Sequence, residues 1–150
     1  MRLALVAVLA ILAAGCGSGP SAEPRTGAPP PPGTAQTRTG PPHAWLETSD
    51  GNRWLAGGST CWQFKGGNIC ADAAEPTCDA PPIPHFRLDR GARVRAHLGF
   101  TPDEASVDGT AAQLHGRILE WKVSKSGVFT VFARARPGDA SYSGCVDLTS

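Results

Sequence analysis

The chain has 150 residues, 41% of them hydrophobic, with 14 basic and 13 acidic side chains. Loss of Arg2 in an export segment would leave 13 of each, and a balanced charge excludes the basic footprint that nucleic-acid binding requires. No long run follows a 3.6-residue period and no internal repeat is present, which excludes a helical domain and a repeat array.

The chain opens with Arg2 and an apolar run over residues 3 to 14, followed by small residues. That order is the order of a secretory signal. The run covers about 12 residues, too few for the ~20 of a spanning helix. Its closing string, Ala13-Ala14-Gly15-Cys16, resembles the lipobox of bacterial lipoproteins. In that family the cysteine sulfur takes a diacylglycerol and cleavage exposes the cysteine. The family prefers Leu where this chain has Ala13. The resemblance implies that residues 1 to 15 are a lipoprotein signal peptide and that Cys16 is lipidated. It places the protein on the extracytoplasmic face of the cell membrane, with the membrane itself as partner. Durable anchoring takes at least two acyl chains at ~0.8 kcal/mol per buried CH₂, and a lipidated cysteine supplies them. Gly17 in place of Asp does not mark inner-membrane retention in a two-membrane cell. The alternative is a plainly secreted chain with an incidental Cys16.

Residues 17 to 42 hold eight prolines and five glycines and no large apolar side chain. Such a stretch buries too little surface to repay ordering. Residues 16 to 42 therefore read as a lipidated cysteine and a disordered spacer, with polyproline II favoured by Pro29 to Pro32. Thr26, Thr34, Thr37 and Thr39 beside proline are candidates for O-glycosylation.

Residues 43 to 150 make one domain. Strands are expected at Ala44–Thr48 and over residues 53 to 56, 60 to 64 and 69 to 71. Asp50-Gly51-Asn52 and Lys65-Gly66-Gly67-Asn68 are the turns between them. In residues 92 to 98 apolar side chains alternate with Arg93, Arg95 and His97, the pattern of a half-buried strand. Further strands are expected over residues 105 to 108, 114 to 121 and 128 to 136. In the last of these Phe129, Val131, Ala133 and Ala135 share one face. Pro137-Gly138-Asp139 then turns the chain into residues 140 to 148, closing a terminal hairpin. The pattern is all-β and predicts an immunoglobulin-like β-sandwich of about seven to nine short antiparallel strands.

Four cysteines lie in this domain: Cys61, Cys70, Cys78 and Cys145. An exported chain meets oxidising conditions, so two disulfides are expected. Four cysteines allow three connectivities. Cys61 and Cys70 flank the Lys65 to Asn68 turn and can meet across a hairpin, which leaves Cys78 for Cys145. Zinc is the alternative, but the paired C-x₂₋₄-C units of a zinc site are missing. Ser-x-Cys-Trp at Ser59 to Trp62, then Cys70-Ala71-Asp72 and Pro76, is similar to a pattern in small exported bacterial lipoproteins. Those proteins also end with a motif matched here by Gly127-Val128-Phe129 through Ala135 and by Gly138-Asp139-Ala140-Ser141-Tyr142. This resemblance covers most of residues 44 to 148 and implies a compact sandwich and the Cys61–Cys70 pair. It implies no activity.

No catalytic constellation emerges. His43, His85, His97 and His115 are scattered, and no Gly-x-Ser-x-Gly elbow is present. Asp103, Glu104 and Asp108 lack the spacing of a calcium loop. No Gly-rich phosphate loop opens a helix. No cofactor, metal or enzymatic activity is therefore expected. Trp62 and Trp121 read as core, whereas Trp45 is equally compatible with stacking on a sugar ring. Arg93, Arg95 and His97 share one strand face and form the candidate binding surface, for anionic lipid or polymer. The expected function is a non-catalytic binding or adaptor module of the cell envelope, its partner an envelope protein or cell-wall polymer. A carrier or sensor of a small ligand or glycan is the alternative, and an enzyme with an unconventional site a third.

Overall fold

The computed structural model describes residues 40 to 49 and 51 to 149. The expected signal peptide, Cys16 and most of the spacer lie outside the described residues. Among the described residues twelve strands occur in chain order: β1 (Ala44–Thr48), β2 (Gly51–Trp54), β3 (Ala56–Phe64), β4 (Gly67–Ala71), β5 (His85–Asp89) and β6 (Arg93–Leu98) form the first half. They are followed by β7 (Glu104–Val107), β8 (Thr110–Ala111), β9 (Gln113–His115), β10 (Ile118–Lys122), β11 (Gly127–Ala135) and β12 (Gly138–Thr149). The described residues include no helix.

The strands form two sheets. One has the order β2-β1-β6-β10-β9; the other has β4-β3-β12-β11-β7-β8, with β5 added to β12. Their inner faces share one core: Leu46, Val94, Ala96 and Leu119 come from the first sheet, and Trp62, Phe86, Phe129, Val131 and Tyr142 from the second. Leu46, Leu119, Val94 and Val131 are almost wholly buried, each contributing roughly 1.5–3 kcal/mol. The alternation expected of residues 92 to 98 and 128 to 136 is the alternation observed.

The strand count and pairing differ from expectation in several places. Residues 53 to 56, expected as one strand, divide at Leu55 between β2 of the first sheet and β3 of the second. The expected turn at residues 137 to 139 falls at Arg136-Pro137, with Gly138 and Asp139 already in β12. Residues 114 to 121 form two strands rather than one, because Gly116, at φ +62°, turns the chain between His115 and Ile118. Asp108 and Gly109 both take positive φ and close a two-residue hairpin, which adds β8. β5 was not expected at all. It pairs parallel to β12, from Cys145↔His85 to Thr149↔Asp89, so the sandwich is not wholly antiparallel.

β12 organises the second sheet. One edge pairs with β11 from Gly127↔Val146 to Ala135↔Gly138. The other edge meets β3 from Gly138 to Ser143 and β5 from Cys145 onward, with a register shift between Ala140 and Tyr142. A side chain at Gly138 would overlap the Cys61 carbonyl, so only glycine lets β3 approach there. The Tyr142 hydroxyl donates to the Pro42 carbonyl at 2.7 Å, tying the start of the domain to β12. Burial raises the phenol above the usual tyrosine range.

Both disulfides follow the expected pairing. Cys61–Cys70 joins directly opposed residues of the β3–β4 hairpin, and Cys78–Cys145 joins the segment before β5 to β12. Their sequence separations are 9 and 67. Loop-closure entropy then gives about 3 kcal/mol for the first and about 4.5 kcal/mol for the second. Replacing Cys78 and Cys145 by serine together is expected to lower the urea midpoint more than replacing Cys61 and Cys70, as read by equilibrium unfolding. Equal losses would contradict that ordering.

Candidate functional site

Register arranges the outer face of the first sheet in rows. Trp54, Trp45, His97, Ile118 and His115 lie side by side in one row. Asn52, Glu47, Arg95, Glu120 and Gln113 form the next. The expected surface residues Arg93, Arg95 and His97 do share this face. Their charges are engaged there. Arg93 and Arg95 donate to the two oxygens of Glu120 at 3.0 and 3.2 Å, and His97 lies 2.7 Å from Glu47. Arg95 also stands 3.5 Å from Glu47. The Arg95 guanidinium first, and Arg93 second, hold the Glu120 carboxyl below the usual carboxylate range. The basic stripe is thus one half of an ion-pair lattice.

Trp45 belongs to the same lattice. It is buried, and its ring stacks on His97 at 3.6 Å with the planes 4° apart. That ring face is not open to a sugar. Trp62 is core, edge-on to Phe100, as expected. Trp121 is only half-buried and leans on Phe129 at 5.5 Å.

Trp121 and Phe129 mark a cleft of about 790 Å³ where the chain crosses between the sheets. Val107, Val123 and Val146 complete its apolar lining, while Arg93, Glu120, Asp108, Lys122 and Lys125 line it with charge. Asp108 pairs with Lys125 at 3.3 Å, and its carboxylate also accepts the Thr130 N–H at 2.8 Å. Lys122 has no ion-pair partner among the described residues.

Two open strand edges face this cleft. β9 covers β10 only as far as Glu120. The Val123 N–H and C=O both bond toward β6, at Ala92 and Gly91. Strand peptide groups alternate in direction, so those of Lys122 point away from β6, where β9 has ended. On β11, Thr130 exchanges bonds with Asp108 at the end of β7. Two residues earlier, Val128 directs its peptide groups the same way, beyond that end. Among the described residues, therefore, no strand is in register with Lys122 beyond the end of β9 or with the β7 side of Val128 beyond the end of β7, and both positions lie beside an aromatic floor. The sequence placed Trp121 in the core and gave no sign of the cleft, which forms from strand ends far apart in the chain.

In the sequence His85 is one of four scattered histidines. β5 instead carries it to β12: its Nδ1 lies 3.1 Å from Asp147 and its Nε2 2.9 Å from the Cys78 carbonyl. Both partners only accept, and a neutral imidazole carries a single N–H. The imidazolium alone satisfies both contacts. The Asp147 hydrogen bond, then the Cys78 carbonyl, raise the His85 pKa above its ordinary 6.5. The sulfur of Cys145 lies in the same cluster, within 4.8 Å of ligating atoms of His85 and Asp147. That sulfur is bound in the disulfide with Cys78 and offers no thiolate to a metal. His43 packs edge-on to Trp54, and His115 is exposed at the end of the aromatic row.

No family model, curated protein or solved structure matches this chain.

The His85 contacts generate a pH dependence. A histidine whose pKa is raised by folding contributes stability that is fully present below the unfolded value. The contribution is lost as pH rises through the folded pKa. The thermal midpoint of the wild type, relative to a His85→Gln variant, is expected to fall between pH 6 and pH 8. A difference that stays constant across that window would contradict the assignment.

Proposed function

We propose that this chain is a non-catalytic binding module of the cell envelope. In this reading Cys16 tethers it to the membrane and the cleft between β10 and β11 holds an extended segment of an envelope protein. The observation that carries the reading is the pair of open strand edges at Lys122 and Val128 beside Trp121 and Phe129. An added peptide strand would gain main-chain hydrogen bonds at such an edge and specificity from alternate side chains in the cleft. Arg93, first singled out for the outer face, also lines this cleft.

A small-ligand carrier is the second reading. Its support is the cleft volume, which lies within the ~300–1,000 Å³ of small-molecule sites.

One substitution separates the two. Proline lacks the N–H that a peptide strand would use. At residue 122 it removes no bond to β6, because that peptide group faces the cleft. A photo-crosslinker in place of Lys125 in the anchored chain is expected to capture one envelope protein in intact cells, through a single mapped segment. Lys122→Pro should reduce that capture at least tenfold, whereas Lys122→Ala should leave most of it. Capture indifferent to Lys122→Pro, or no protein captured at all, would overturn the peptide reading.

A further inference from the structure

The opposite edge of the sandwich carries a second cavity of about 570 Å³, between the β1–β2 hairpin and β5. Thr48, Arg53, His85, Phe86, Arg87 and Asp147 line it. The two arginines arrive from different sheets. Arg53 donates from Nη1 to the His85 carbonyl at 2.8 Å. Arg87 sits on the exposed side of β5, in register with Asp147.

Neither arginine has a carboxylate within ion-pair distance among the described residues. Arg93 and Arg134 each have one and Arg95 has two. The acid in this cavity, Asp147, is held by His85 instead. With His85 protonated that pair is neutral, and among the described residues two guanidinium groups line one cavity with no carboxylate within ion-pair distance of either. A guanidinium is weakly hydrated and presents planar N–H forks that match phosphate oxygens. Charge-assisted bonds of this kind are about twice as strong as neutral ones.

We propose that this cavity is a binding site for a phosphate-bearing anion, held by Arg53 and Arg87 with His85 beside them. The assignment is independent of the cleft on the other edge. The groups that face His85 are Asp147 on β12, Asp79 and the Cys78 carbonyl before β5, Arg53 on β2 and Arg87 on β5. Loss of the His85 proton would leave Asp147 as a free negative charge beside the anion. For an anion whose own charge is constant over the range, such as a phosphodiester headgroup, binding therefore weakens as pH rises.

The source of the phosphate, a soluble anion or a lipid headgroup, is separated by two probes. The full chain carrying Cys16→Ser, so that no anchor contributes, is titrated with inorganic phosphate by NMR. The same chain is sedimented with phosphatidylcholine vesicles with and without phosphatidylglycerol. Saturable phosphate binding at pH 5.5 that weakens at least tenfold in Arg87→Gln supports the site with a soluble ligand. Phosphatidylglycerol-dependent sedimentation lost in Arg87→Gln supports it with a lipid source. Arg87→Gln leaves the described ion pairs and the Arg53 bond to His85 in place, and an unchanged amide spectrum elsewhere verifies its fold. Binding of either probe that is indifferent to Arg87→Gln, or binding of neither, overturns the proposal.

Discussion

The pairing of β12 along both its edges is the constraint on which the rest of the sandwich depends. Its twelve residues hold β11 on one side over nearly their full length, and β3 then β5 on the other. From Tyr142 to Val146 every residue is buried. Cys145 adds a covalent bond within this stretch, and Tyr142 reaches the start of the domain. A strand so enclosed must have its register set on both edges at once, since a one-residue slip would turn every side chain to the wrong face. The shift between Ala140 and Tyr142 lets one strand serve two different neighbours along the same edge.

The two candidate sites follow from how the sheets end around this strand. β11 runs past the end of β7, and β10 runs past the end of β9, so the cleft opens where the chain crosses between sheets. On the far edge, β5 lies on β12 and brings His85 and Arg87 opposite Arg53. The broad outer face of the first sheet is different in kind. Its acids and bases alternate across strands and neutralise one another, as opposite charges facing each other on neighbouring strands do. Net charge near zero therefore conceals an uneven distribution: acids and bases pair on that face, whereas among the described residues Lys122 on one edge and Arg53 and Arg87 on the other are among the basic groups with no carboxylate within ion-pair distance.

What the sequence made legible was whatever depends on near neighbours in the chain. Period-2 alternation located β6 and β11 and assigned their buried faces, because a strand half in water must alternate. The Lys65 to Asn68 turn brought Cys61 opposite Cys70. β5 carries the same alternation in Phe86 and Leu88 but follows Pro81 to Pro84, whose composition reads as a loop. Its partner lies some 60 residues later, a pairing that no local signal encodes. Gly116 interrupts a run of strand-forming residues, and a single glycine reads equally as a bulge or a turn. The face shared by Arg93, Arg95 and His97 was legible from spacing. Their neutralisation by Glu47 and Glu120 was not, because those acids come from the strands on either side. The cleft and the arginine cavity are both assembled from two sheets and left no trace in any one segment.

Native-state hydrogen exchange tests the central place of β12 most directly. Amides that open only by global unfolding exchange last, and those of local units exchange earlier. If β12 is the strand on which both edges depend, its amides between Tyr142 and Val146 should be the slowest in the domain. They should share one opening free energy with their partners on β11, while β9, β8 and β4 exchange faster. Protection concentrated instead in β6 and β10, with β12 opening independently and early, would contradict the account.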